Sequence, residues 1–215
     1  AVFLHLYAAG NLTPSAETIP MEKGKQGVWS YKTTRNLDGW YYDFDVTVDG
    51  VTSTTADPYA KACGVNGKRS MVIDLSRTDP EGWEEDKAPS RCAEQVIYEL
   101  HIRDLSMHRS SRIRNKGKFL GLTETGKKTR TGQPTGLDHI KNLGITHVHL
   151  LPVYDFGFTD EREKSPQYNW GYDPVNFNVP EGSYATDPFN GAVRVKEFKQ
   201  MVKALHDNGI SVIMD

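Results

Sequence analysis

The strongest constraint on this chain is a change of hydrophobic rhythm part-way along it. Up to about Ala88 the apolar residues come in short period-two rows, whereas from Cys92 onward the order reads strand, helix, strand, helix, strand. In the first part Val2, Leu4 and Leu6 alternate with Phe3, His5 and Tyr7. A longer row of Trp40, Tyr42, Phe44, Val46 and Val48 alternates with Tyr41, Asp43, Asp45 and Thr47. Asp38-Gly39 and Asp49-Gly50 supply turns, because glycine accepts positive φ without steric cost. Short strands divided by such turns predict an immunoglobulin-like β-sandwich over residues 1–90. The Asp-, Glu-, Pro- and Gly-rich run from Asp79 to Arg91 marks the boundary.

The second part, 91–215, predicts an α/β unit. Val96, Tyr98, Leu100 and Ile102 share one face of its first strand, and Ile97, Glu99, His101 and Arg103 the other. A parallel strand covered by helices is usually apolar on both faces, so this polar row needs partners, either at a wet mouth or in an internal ion network. Phe119 to Pro134 reads as a surface loop and carries no phosphate-binding motif. Leu137, Ile140 and Leu143 give a short helical stripe stopped by Gly144, and Ile145 to Tyr154 the next strand. Phe198, Met201, Val202 and Leu205 form a core-facing stripe, with Lys199, Lys203 and Asp207 outward and Gly209 as the stop. Ser211 to Asp215 begins a third strand.

Several functions are disfavoured. With 26 Lys and Arg against 28 Asp and Glu the net charge is -2, and no basic stripe exists for nucleic acid. No run approaches the roughly 20 apolar residues of a membrane helix. The opening Ala1 to Tyr7 is too short for a signal sequence and alternates like a strand. Cys63 and Cys92 read as two ordinary thiols. His147 and His149 share a strand face, but no third ligand follows at metal-site spacing, so paired polar contacts are expected instead of zinc. The compartment, cytoplasmic or secreted and cell-surface, stays open.

Tyr168-Asn169-Trp170-Gly171-Tyr172-Asp173-Pro174 is the candidate binding loop. Tyr and Trp combine an apolar face with a polar edge, which suits a sugar ring; a loop that merely covers the end of a sheet is the competing reading. Trp29, Trp40 and Trp83 are further candidate sugar platforms, although alternation places Trp40 beside Phe44 and Val46 on a core face.

This seven-residue string resembles the signature of type I pullulanases, debranching members of the alpha-amylase superfamily (glycoside hydrolase family 13). Val96 to Ser106 and His147 to Asp155 look like that family's first two barrel strands. Asn178 to Pro188 and Phe198 to Asp215 continue the resemblance in order, and Ala1 to Tyr7, then Gly27 to Trp29, then Asp38 to Val46 looks like the starch-binding-like module that precedes the barrel. The resemblance implies a β-sandwich carbohydrate-binding-like module, incomplete at its N-terminus, followed by about three strands of an incomplete α/β TIM barrel. It implies a retaining hydrolase of α-1,6-glucosidic bonds in pullulan, glycogen or limit dextrins, with its catalytic carboxylates beyond residue 215 and none in this chain. Tyr172 matches the tyrosine that stacks on the sugar just before the scissile bond, Asp173 is its polar neighbour, and Asn169 and Trp170 shape the loop or line the cleft. Asp215 matches the start of a later family motif and is expected to orient loops. No cofactor or metal is required, and Ca2+ is left open. The expected partners are an α-glucan and the C-terminal remainder of the barrel, on the same or a separate chain, without which this chain is expected to be inactive and poorly stable. An isoamylase or branching enzyme is the neighbouring alternative, and a non-catalytic glucan-binding protein the alternative of another class.

Overall fold

The period-two rows fold as strands. The computed structural model describes residues 1–90, 94–163 and 167–215. In the first part, β1 (Val2–Tyr7), β2 (Glu17–Pro20), β5 (Tyr41–Val48), β6 (Val51–Thr55) and β7 (Ser70–Met71) make an antiparallel sheet of order β2-β1-β5-β6, with β7 also on β5. β3 (Glu22–Lys23) and β4 (Trp29–Ser30) form a separate ribbon. Asp49 (φ 51°) and Gly50 (φ 80°) close the β5–β6 hairpin between the paired Val48 and Val51, the left-handed pair that matches strand twist. Among the described residues the expected sandwich is thus represented by one sheet and a ribbon.

The burial of that sheet differs from the expectation. Leu4 and Leu6 are buried, but Trp40, Phe44 and Val46 on the same face are only half-buried, whereas Tyr41 and Asp43 on the opposite face are buried. Tyr7 and Tyr41 pack with Ala62, Met71 and Val195. Alternation says which residues share a face; what covers that face is decided by chain far away in sequence.

The second part contains a parallel sheet. β8 (Ile97–Leu100), β9 (His147–Leu150) and β12 (Ser211–Met214) run parallel with β9 central. α1 (Asp104–Met107) and α2 (Leu137–Asn142) lie between β8 and β9, and α3 (Gly191–Asp207) precedes β12. Asn190 caps α3 by accepting from the Ala192 N–H, and Gly209 (φ 73°) ends it. The predicted strand from Ile145 to Tyr154 is in fact two. It stops before Pro152, which has no N–H to donate, and β10 (Tyr154–Phe156) then leaves the sheet to pair antiparallel with β11 (Pro174–Pro180).

Leu100, Val148, Leu150, Met201 and Leu205 centre the core, with Phe198 and Val202 packed against it. Phe119 and Leu122, expected in a surface loop, are fully buried there in a 3₁₀ turn. Phe119, Leu120 and Leu122 form a short apolar run at the head of a Gly-, Thr- and Lys-rich stretch. The boundary run is fastened to α3: Asp86 meets His206 Nδ1 at 2.8 Å, and Lys199 reaches Asp79 and Thr78 Oγ1. Cys63 is a free thiol that burial pushes up to about 12; Cys92 lies outside the described residues.

Candidate functional site

Residues 168–174 connect the β10 end of the structure to β11, and Asn169 organises them. Its Nδ2 donates to Gly157 O at 2.8 Å and to Asp173 Oδ2 at 3.3 Å, and its Oδ1 accepts from the Gly171 N–H at 2.9 Å. An Asx-type turn of this kind lets one side chain fix its own loop. Gly171 sits at φ 91°, and a Cβ there would stand 2.9 Å from Pro152 Cβ, so both the backbone angle and the space call for glycine. Asn169 therefore clamps the loop.

The aromatic rings that the clamp carries remain open. Trp170 is 60% and Tyr172 57% exposed. Tyr172 donates from its hydroxyl to Asp215 Oδ2 at 2.5 Å, and this bond to a carboxylate pushes the phenol up to about 12. Asp215 therefore holds the ring edge while the faces stay free. Asp173 accepts from Asn169 and contributes its backbone carbonyl to the Gly157 N–H. The structure brings Asn169, Trp170, Tyr172 and Asp173 around one depression of about 400 Å3, joined by Tyr168 and Phe158.

Two further residues belong here, one unmarked in the sequence and one read only as a member of a polar row. Phe158 is 90% exposed with φ 53°, and no periodicity marks it. His101 is buried, with Nε2 2.9 Å from Asn169 O and its ring stacked on Tyr168 at 5.2 Å. Its place in the polar row that runs on from β8 was the available signal. Ile97 and Glu99 of the same row are exposed.

Known proteins of similar sequence and structure include several pullulanases. The chain is 43% identical over 202 residues to the pullulanase of Bacillus subtilis, covering 94% of this chain and 28% of that protein. It is 31% identical over 275 residues to the chloroplastic pullulanase 1 of Arabidopsis thaliana, covering all of this chain and 27% of that one. The crystal structure of Paenibacillus barengoltzii pullulanase, in complex with maltohexaose and alpha-cyclodextrin, superposes with a TM-score of 0.95 at 49% identity, over all of this chain and 34% of its own. The chain belongs with the pullulanases. No family model matches it. The isoamylase SU1 of Zea mays is also similar, at 29% identity over 82% of this chain and 22% of its own length. The chain thus spans about a third or less of the pullulanases it matches.

A second polar cluster in this pullulanase segment lies inside. Arg194 on α3 is fully buried and bonds Asp155 Oδ1 and Glu161 Oε2, each at 2.9 Å. Glu181 lies beside them, accepting from the N–H groups of Ser183 and Phe156. Those two donors favour its carboxylate, yet burial and the nearby Glu161 and Asp155 charges outweigh them and push it up to about 8. The three carboxylates are close enough together to hold a cation, and the guanidinium supplies that positive charge. Arg194 Nη2 also donates to Gly64 O, and Glu161 exchanges hydrogen bonds with Asn66, its Oε2 accepting from the Asn66 N–H while its own N–H donates to Asn66 Oδ1. The cluster joins the two parts of the chain.

The remaining candidates are placed as follows. His147 Nδ1 meets Thr146 Oγ1 at 2.8 Å. Trp29, Trp40 and Trp83 each have a cation over the ring, from Lys23, Arg35 and Lys199 at 5.8, 5.3 and 5.5 Å. One face of each expected platform is therefore occupied by its own chain. No helix among the described residues is long and apolar enough to cross a membrane.

Proposed function

We propose that this chain is part of a debranching glycoside hydrolase that cleaves α-1,6-glucosidic bonds in pullulan, glycogen or limit dextrins, and that its aromatic loop forms part of the sugar subsite before the scissile bond. In this reading β8, β9 and β12 are three of the eight strands of a (β/α)8 barrel covering 91–215. The sheet of residues 1–90 is a carbohydrate-binding-like module. The two catalytic carboxylates, which a retaining mechanism sets roughly 5–5.5 Å apart, come from the remainder of the barrel, so that these residues alone are inactive.

The observation that carries the reading is where the loop sits. Asp215 directly follows β12 and holds Tyr172, and His101 directly follows β8 and meets Asn169. The loop thus lies across the C-terminal ends of parallel strands, where barrel enzymes build their sites. Tyr172 stacks on the glucose ring, Trp170 lines the cleft, and Asp173 and Asn169 keep the loop in shape. The similarity in name and sequence to pullulanases supports the choice of bond over an isoamylase or branching-enzyme specificity.

The test uses a complete pullulanase polypeptide carrying this chain, with release of reducing ends from pullulan as the readout. Tyr172→Ala should lower kcat/KM at least about tenfold, the loss of one stacked ring face. Unchanged turnover removes Tyr172 from the subsite. Tight glucan binding with no hydrolysis in that complete polypeptide favours a non-catalytic glucan-binding protein.

A further inference from the structure

His101 stands where the first parallel strand meets the aromatic loop. It follows Leu100, the last residue of β8, and its imidazole is buried. The Arg103 N–H donates to Nδ1 at 3.2 Å. A ring nitrogen that accepts carries no proton, so the neutral imidazole has its proton on Nε2. Nε2 lies 2.9 Å from the carbonyl oxygen of Asn169, which can only accept. The Nε2–H therefore donates to Asn169 O, with the Tyr184 hydroxyl 3.2 Å from the same nitrogen. Tyr168 stacks on the ring at 5.2 Å and 25°, and Tyr184 meets it edge-on at 5.9 Å and 89°. The donor's direction is thereby fixed both within the ring plane and across it.

Asn169 is the clamp of the loop, and its carbonyl belongs to the peptide from which Trp170, Gly171 and Tyr172 follow. Among the described residues the loop is tied beyond the ends of the parallel strands by His101 after β8 and Asp215 after β12, and the Tyr168 hydroxyl donates to Asp104 Oδ2 at 3.2 Å. Asp215 holds one ring edge; His101 holds the backbone that carries both rings. We infer that His101 is a positioning residue for the sugar subsite, its Nε2–H fixing the Asn169 carbonyl so that Trp170 and Tyr172 present their faces in register to a glucan. The inference rests on the subsite reading above. A preset loop spares the substrate the cost of ordering it, which is the usual source of affinity in a preorganised site.

Two substitutions separate this role from a merely local one. His101→Gln places an amide donor near the position of Nε2 and keeps the contact with Asn169. His101→Asn places its amide near the position of Nδ1, keeps the acceptor for Arg103 and loses the reach to the loop. In a complete pullulanase polypeptide carrying this chain, His101→Gln should retain kcat/KM on pullulan within about threefold, and His101→Asn should lose roughly tenfold, with closely similar thermal midpoints. The reverse order, or equal losses that track the thermal midpoints, overturns the inference. Tyr172→Ala in the same background keeps the two claims apart. If it is impaired while His101→Asn turns over normally, only the positioning role fails; if Tyr172→Ala itself is unimpaired, the subsite reading fails. Should neither His101 variant fold, histidine-selective 15N NMR of the unsubstituted protein decides: an Nε2–H tautomer is expected, and an Nδ1–H tautomer overturns it.

Discussion

The β10–β11 hairpin has opposite environments at its two ends. Where Tyr154 pairs with Pro180, Asp155 and Glu181 turn inward to Arg194, and the charges are met by protein. Where Phe156 pairs with Pro174, the same hairpin opens into a loop whose Trp170 and Tyr172 face solvent. One end joins and the other presents. At the inner end a side chain is fixed by ionic partners drawn from several segments; at the outer end one amide, Asn169, fixes its own loop and leaves the ring faces unused. A hydrogen-bonded clamp holds a binding surface without covering it, whereas a buried ion cluster consumes the surface it holds.

The inner end should be the more costly to break. Arg194→Met leaves Asp155 and Glu161 buried without their cation and should destabilise by about 3–5 kcal/mol, measured by chemical denaturation. A loss under about 1 kcal/mol would put the cluster on a par with surface pairs. At the outer end Gly171→Ala forces a Cβ toward Pro152 at φ 91° and should cost about 1–3 kcal/mol, together with much of the glucan affinity. Loss of stability with unaltered affinity would show that the loop's shape is not what the sugar needs.

The inner end should also respond to pH. The Glu181 carboxyl is raised in the folded protein from the ordinary 4.5 to about 8, so the fold favours its protonated form. Its contribution is fully present below about 4.5 and is lost as pH rises through 8. Stability followed from pH 5 to 9 should fall in that window, and Glu181→Gln, whatever its offset, should flatten the fall. The smallest effect belongs to Tyr172→Phe, which removes the exposed bond to Asp215: stability should be unchanged within error and glucan binding a few-fold weaker, by calorimetry.

What the sequence revealed follows the range of the interactions. The strand rows of β1 and β5, the Asp49-Gly50 turn and the α3 stripe are local patterns and form the elements read from them, although Lys199, read as outward, is tucked against Asp79 and Trp83. The loop from Tyr168 to Pro174 stands out in the sequence by its aromatic composition, whereas the bonds by which Asn169 holds it do not. The face of β5 that packs against Met71 and Val195 is not legible, because its cover arrives from a helix some 150 residues on, as the bond between Gly191 and Tyr41 illustrates. Phe119 and Leu122 are obscured by the Gly-, Thr- and Lys-rich stretch that follows them. Arg194 and its three acids come from scattered positions with no spacing to connect them. His101 was visible only as a polar residue in need of a partner, and its partner is 68 residues away.

The reciprocal bonds between Asn66 and Glu161 also set a timetable. They close a gap of 95 residues, and the Arg194 contact with Gly64 one of 130. Loops of that length are entropically slow to close, so β5–β6 and the α3 helix can form well before the junction exists. A junction made after the rate-limiting step shows itself when the protein comes apart, not when it assembles. Weakening it should speed unfolding while leaving the refolding rate nearly untouched, which makes this seam between the two halves a latch on the lifetime of the folded state.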